Sequence, residues 1–317
     1  VYAGKSGPCF VCGRTIKVPY VIGAVVYDAA KGDTAKGGAD SAPVMAATAT
    51  PARRQLINAI LILGAACLFV GAGGAIALKL AQPALIALKK SAARDESQRK
   101  LQRIVAALRA YEAQYGSLPP PYTVDANGKK MHSWRVLILP FLGGDIGGPI
   151  QYNFAEPWDS QNNLRFAAQI PDVFSCSLDP ASKTLGETSY VVVIGPRTAF
   201  RDQTANADEE TKAKERVKLS DISDGPGNTL LVVEYHRSGI VWTEPKDLYF
   251  ARMSFNVNEE MANSEMRSEH EGCVFAGRAD GAAVQIGDGA PPRDVRAMLT
   301  IDGDEKLDWT LYLPESK

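Results

Sequence analysis

The sequence predicts an α+β chain: a long N-terminal membrane and stalk helix packed on a small antiparallel sheet, with extra strands and loops. Three observations predict it. An apolar run without a charge, "LINAILILGAACLFVGAGGAIAL", covers residues 56–78. Beyond it Leu101, Ile104, Val105, Leu108 and Tyr111 recur at helical spacing. From there to the C-terminus, short strand-prone segments alternate with Gly, Asn and Asp turns. The 317 residues suffice for one or two folded units. A net charge of −1 advertises no basic face for nucleic acid.

Residues 1–27 open the chain with a CxxC pair, Cys9 and Cys12, followed by Gly and a short basic-apolar strand. Residues 28–55 are rich in Ala, Gly and Thr with few bulky apolar side chains, so they read as a disordered linker. The 56–80 segment reads as a transmembrane helix. At 1.5 Å of rise per residue, 23 residues reach roughly 34 Å, enough for a hydrocarbon core of about 30 Å. A signal-peptide core is shorter and lies nearer the start, and a helix apolar on all sides is unusual outside a membrane.

Residues 81–116 continue as an amphipathic stalk, which "GSLPPP" ends because Gly and successive Pro cannot prolong a helix. The remaining residues, 117–317, form a β-rich domain. "YTVDANGKKMHSWRVLILPFL" reads as a hairpin turning at Asn127-Gly128. Residues 188–195, 228–236 and 239–245 read as strands. Residues 273–286 read as a hairpin turning at Asp280-Gly281.

The cluster His132, Ser133, Trp134, Arg135 stands directly before an apolar run. Nucleophilic catalysis would need a base beside Ser133, but successive strand side chains point to opposite faces. His236 and His270, the other imidazoles, sit in no nucleophile-elbow or HExxH spacing. The expectation is therefore scaffolding: Trp134 packing at the sheet edge, with Arg135 and His132 holding backbone carbonyls or carboxylates such as Glu234 or Asp159. Asp221, Asp224 and Asn228 in "DISDGPGN" have oxygen spacing that suits either Ca²⁺ or an Asx-turn with Gly. Cys176 and Cys273 are either buried thiols or a disulfide.

Several of these segments in order, "YGSLPPPYTVDANGKKMHSWRVLILPFL", "FAEPWDSQNN" with Trp158, "FSCSLDP", "LSDISDGPGNTLLVVE", "EPKDL", "SEHEG" and "RADGAAVQI", resemble the DUF1559 family, which is expanded in Planctomycetes. The resemblance runs from about Pro83 to the C-terminus. It implies a pseudopilin-like protein: a membrane helix continuing into a stalk, then a small antiparallel domain outside the cytoplasmic membrane, with no known enzymatic activity. The partners implied are the lipid bilayer and a lateral homo-oligomer or other pseudopilin-like proteins. An older family label suggests solute binding, and the alternative reading is an exported solute- or glycan-binding module.

Near the end, the family's His-Pro-Gly-Gly and Asp-Gly signature corresponds to His270-Glu271-Gly272-Cys273 and Asp280-Gly281. The prepilin junction, Gly-Phe with a Glu entering the span, is absent: Arg53-Arg54 lead directly into "QLINAILIL". The N-terminal "CFVCGRTIKVP" resembles half of a zinc ribbon. Without a second CxxC, Cys9 and Cys12 bind zinc only if other ligands complete the tetrahedron. Lys36, Arg53 and Arg54 precede the span, and Lys79, Lys89, Lys90 and Arg94 follow it. That distribution alone places the large domain in the cytoplasm. The resemblance places it outside, and the expectation follows the resemblance.

Overall fold

The computed structural model describes residues 82–143, 151–203, 215–259 and 265–313, with residues 208, 210 and 211, the backbone of 73–81, and four short strands between residues 6 and 26. Two units separate, Val1–Gly71 and Ala72–Lys317. In the first, β1 (Ser6–Pro8) pairs antiparallel with β2 (Thr15–Lys17), and β3 (Val21–Ile22) with β4 (Val25–Val26). Cys9, Cys12, the 28–55 linker and residues 56–72 of the expected span lie outside the described residues. Among the described residues, no helix is long and apolar enough to cross a membrane.

The second unit opens with α1 (Gly73–Tyr115), 43 residues that run unbroken through Pro83. Gly116, at φ +78°, ends it in the left-handed conformation that glycine adopts without a Cβ penalty. Then come β5 (Tyr122–Val124) and β6 (Lys130–Ser133), the expected hairpin, with Gly128 at φ +80° in its turn. The strand does not continue into the apolar run, as the sequence reading had it. The Ser133 hydroxyl accepts the Arg135 amide and caps a single helical turn, α2 (Trp134–Leu137). Short helices α3 (Gln161–Ala167) and α4 (Pro180–Leu185) follow.

The principal sheet is antiparallel, with β7 (Tyr190–Val191) and β12 (Ala283–Gly287) at its edges. Inside them lie β9 (Leu230–Glu234) and β11 (Cys273–Arg278), in the order β12-β11-β9-β7. A parallel pair, β8 (Val193–Ile194) with β10 (Leu248–Tyr249), stands apart from it. The segment 239–245, expected as a strand, contributes an isolated bridge, Glu187 to Val241, and turns. Its alternation reflects burial of Ile240 and Trp242, not sheet pairing.

Strand alternation sends side chains to two cores. Leu231, Cys273 and Phe275 join Leu101, Ile104, Val105 and Leu108 of α1, all buried as their spacing predicts. Leu230, Val233, Val274 and Ala276 face the other way, toward Val295, Met298 and Leu299 of α5 (Pro292–Leu299). Where α1 crosses β11 the contact is close. A Cβ on Gly277 would lie 2.6 Å from a Val105 methyl. Helix, antiparallel sheet and helix make this an α+β domain.

Candidate functional site

Two buried polar clusters sit on the α1 side of the sheet, and the residues singled out by sequence divide between them. In the first, α2 places Arg135 wholly inside the protein. Its Nη2 lies 2.5 Å from Asp247 Oδ1, Nη1 donates to the Ser133 hydroxyl, and Nε donates to the Tyr190 carbonyl. Asp247 Oδ1 also accepts the Trp134 indole at 3.1 Å and the Val192 amide at 3.0 Å. Trp134 is not at a sheet edge. It is fully buried, edge-on to Phe174.

Arg135 therefore neutralises Asp247, and the expected pairing with Glu234 is corrected. His132 is elsewhere again: its Nδ1 meets the Tyr152 hydroxyl at 2.8 Å and its Nε2 the Phe154 carbonyl at 3.1 Å. Asp159 pairs with Lys129 instead.

The second cluster forms where β9 ends. Val233 faces the α5 core, so Glu234 turns toward α1, and His236, two residues on, lies beside it. Glu234 Oε2 accepts the Phe275 amide at 2.9 Å. Its Oε1 has no hydrogen-bond partner and lies 3.6 Å from both His236 Nε2 and His270 Nε2. Cys176 Sγ is 3.8 Å from His270 Nε2 and 3.5 Å from the Ser97 hydroxyl. Ser97, on α1, also meets His270 Nε2 at 3.0 Å and accepts the Tyr190 hydroxyl at 3.3 Å. All six side chains are buried.

The electrostatics follow from this crowding. Burial pushes the Cys176 thiol up, but the neighbouring His236 and His270 imidazoles outweigh it and bring the thiol down to about 7. Burial likewise raises Glu234, and the two imidazoles with the Phe275 amide hold it below the usual carboxylate range. The Glu269 amide donates to His236 Nδ1 at 2.9 Å, so that nitrogen carries the lone pair and the proton of a neutral ring lies on Nε2, facing the thiol and carboxylate. By contrast, burial drives the Cys273 thiol up to about 11. Both cysteines are free thiols.

Among the described residues, Cys176, Glu234 and His236 offer ligand atoms mutually within 4.8 Å, a spacing that can hold a metal ion. The loop that suited either Ca²⁺ or an Asx-turn carries backbone-closing bonds. Asp221 accepts the Lys218 amide, Asp224 accepts the Gly303 and Asp304 amides, and Asn228 donates to the Asp224 carbonyl. Those carboxylates are spent on backbone amides, and the loop is closed by Asx-type bonds. Asp280 likewise serves the β11–β12 turn: it accepts the Ala282 amide and pairs with Arg278, while Gly281 sits at φ +102°. Trp158 is half-buried, its amide bonded to the Met131 carbonyl.

Sequence reasoning found Glu234, His270, Trp134 and Arg135 but missed Cys176, His236, Ser97, Tyr190 and Asp247 as their partners. "VVEYH" did carry a signal, since residues two apart on a strand share a face. "FSCSLDP" carried none.

The class defined by these features is an α+β domain carried on a long N-terminal helix, with one buried polar cluster joining α2 to β7 and a second joining α1 to the sheet. The chain belongs to the family described as protein of unknown function (DUF1559), which matches residues 88–258, more than half of its length. No curated protein and no solved structure matches it.

Proposed function

We propose that this chain is a membrane-anchored, non-enzymatic structural or interaction protein. Its pseudopilin-like domain stands on the outer side of the cytoplasmic membrane, and its partners are the bilayer and neighbouring copies or other pseudopilin-like proteins. The observation that carries this reading is the division of α1. From Ala93 onward the helix enters the core, and Leu101, Ile104, Val105 and Leu108 are fully buried. Residues 82–92 are exposed on every side, although Leu85, Ile86 and Leu88 are among them, at 55%, 53% and 69% exposure. A domain needing only a core helix has no use for that extension, whereas a helix continuing from the apolar 56–78 run does.

A non-enzymatic role is supported by the closure of both clusters. Trp134, Arg135, Glu234 and His236 are fully buried, and Cys176 is 1% exposed. A substrate needs a concave, accessible site. His132, Trp134, Arg135 and Glu234 do not line a common pocket that a solute or glycan could enter.

Protease added to intact spheroplasts tests the topology. Fragments cut within residues 117–317, with the Cys9–Cys12 segment protected, are the expected result. Protection of the large domain with loss of the N-terminal segment would reverse the assignment, and release of the intact chain by carbonate washing would remove the anchor.

A further inference from the structure

We propose that Cys176, Glu234, His236 and His270 form a buried structural site for one divalent cation of the zinc class. Two buried polar atoms, Glu234 Oε1 and His236 Nε2, have no hydrogen-bond partner. They face each other across 3.6 Å, too far for a hydrogen bond. Buried polar atoms are almost always satisfied, and an exception calls for a ligand or a role.

Distances identify the ligand. Zinc bonds of about 2.3 Å to sulfur and 2.0–2.2 Å to nitrogen and oxygen put tetrahedral ligand atoms roughly 3.4–3.6 Å apart. The observed separations are 3.6 Å from Glu234 Oε1 to each imidazole Nε2 and 3.8 Å from Cys176 Sγ to His270 Nε2. Cys176, Glu234 and His236 already converge within 4.8 Å. His270 lies outside that trio, its ring centroid 6.1 Å from that of His236, so the two imidazoles must draw together for the fourth ligand to close the set. A thiolate and a carboxylate supply two negative charges to balance a dication. Sulfur and imidazole ligands select zinc-class ions over calcium or magnesium, which take oxygen. Four protein ligands in a buried setting are the hallmark of a structural site rather than a catalytic one.

The surroundings specify what ligation rearranges. Ser97 touches both His270 Nε2 and Cys176 Sγ, so its hydroxyl can release the nitrogen and donate to the thiolate. His236 can ligate through Nε2 only if its proton moves to Nδ1, which displaces the Glu269 amide now bonded there. The ion would tie the 172–179 loop and the end of β9 to the 268–272 turn, three segments far apart in sequence.

The test uses the full-length, detergent-solubilised chain with Cys9, Cys12 and Cys67 changed to serine, so that other thiols outside the domain are silent. One zinc per chain after gel filtration is expected. Cobalt should replace it and give the visible bands of a tetrahedral centre together with a thiolate-to-cobalt charge-transfer band. Cys176→Ser should abolish the charge-transfer band and reduce zinc at least tenfold, while Cys273→Ser leaves both intact. Chelation should lower the melting temperature, and added zinc should restore it. Should Cys176→Ser fail to fold, the charge-transfer band in Cys273→Ser decides, because Cys176 is then the only thiol left. Zinc that survives Cys176→Ser is adventitious and overturns the site. A folded parent with neither zinc nor a cobalt–thiolate band overturns it too.

Discussion

Arg135 is a cation wholly shielded from bulk solvent. Both it and Asp247 are wholly buried, and the carboxylate gathers donors from Arg135, Trp134 and Val192 on one oxygen. Removing one partner leaves the other charge stranded in the core, so Asp247→Ala should destabilise by about 3–5 kcal/mol. Trp134→Ala removes a fully buried ring as well as one of those donors, and should cost about 3–5 kcal/mol. Replacing the pair together, Arg135→Met with Asp247→Leu, should cost less than Asp247→Ala alone, since no charge is orphaned. Urea midpoints at unchanged slope measure all three, and an Asp247→Ala chain that keeps its midpoint would sink the pairing. The need for a counter-charge near Arg135 was legible in the sequence, but the choice of carboxylate was not. Glu234 ends an apolar strand and looked buried; Asp247 sits in "EPKDL", a loop-like stretch 112 residues away. Local pattern reports burial, and only the packed chain assigns partners.

Among the elements, α1 was the most legible, because a 3.6-residue stripe is a property of the helix itself and needs no tertiary information. Both hairpin turns were legible for a related reason, as Asn127-Gly128 and Asp280-Gly281 meet local backbone demands. What misled was burial without pairing: Ile240 and Trp242 alternate like a strand yet pack in loops, and Ser133 caps a helical turn where a strand was expected. Gly277 shows what the sequence hid about packing. Its φ is ordinary, so a backbone argument predicts no strain. The constraint is the 2.6 Å approach of a Val105 methyl to any Cβ placed there. Gly277→Ala must push α1 off β11, which should destabilise by about 1–3 kcal/mol. Val105→Ala made in the same chain should recover part of that loss, a positive coupling that a double-mutant cycle reads directly. Additive losses would show that the helix and strand do not touch at this point.

At the scale of the whole molecule, α1 divides into an exposed stretch and a stretch committed to the core. The domain's hold on the helix begins at Lys90, which pairs with Glu271 at 2.6 Å, and at Arg94, which donates to the Glu271 carbonyl. Above that point Leu85 and Leu88, three residues apart, share one exposed helical face. Below it every stripe residue is committed to the core. A charge placed above the boundary should therefore leave folding alone and disturb only association. Leu88→Asp should shift domain stability by no more than about 0.5 kcal/mol, as for an exposed site. On the proposed membrane-anchored reading, small residues around Gly71–Ala75 let helices approach closely in lipid, and cysteine at Gly74 should cross-link neighbouring copies in native membranes. Adding Leu88→Asp to that chain should lower the cross-linked fraction several-fold while the melting temperature holds. If the fraction is unchanged, the exposed face is not the contact and association runs through the span alone. If no cross-linked species forms in either chain, the copies do not associate laterally. An early melt would instead place Leu88 in the folded core, contrary to its exposure.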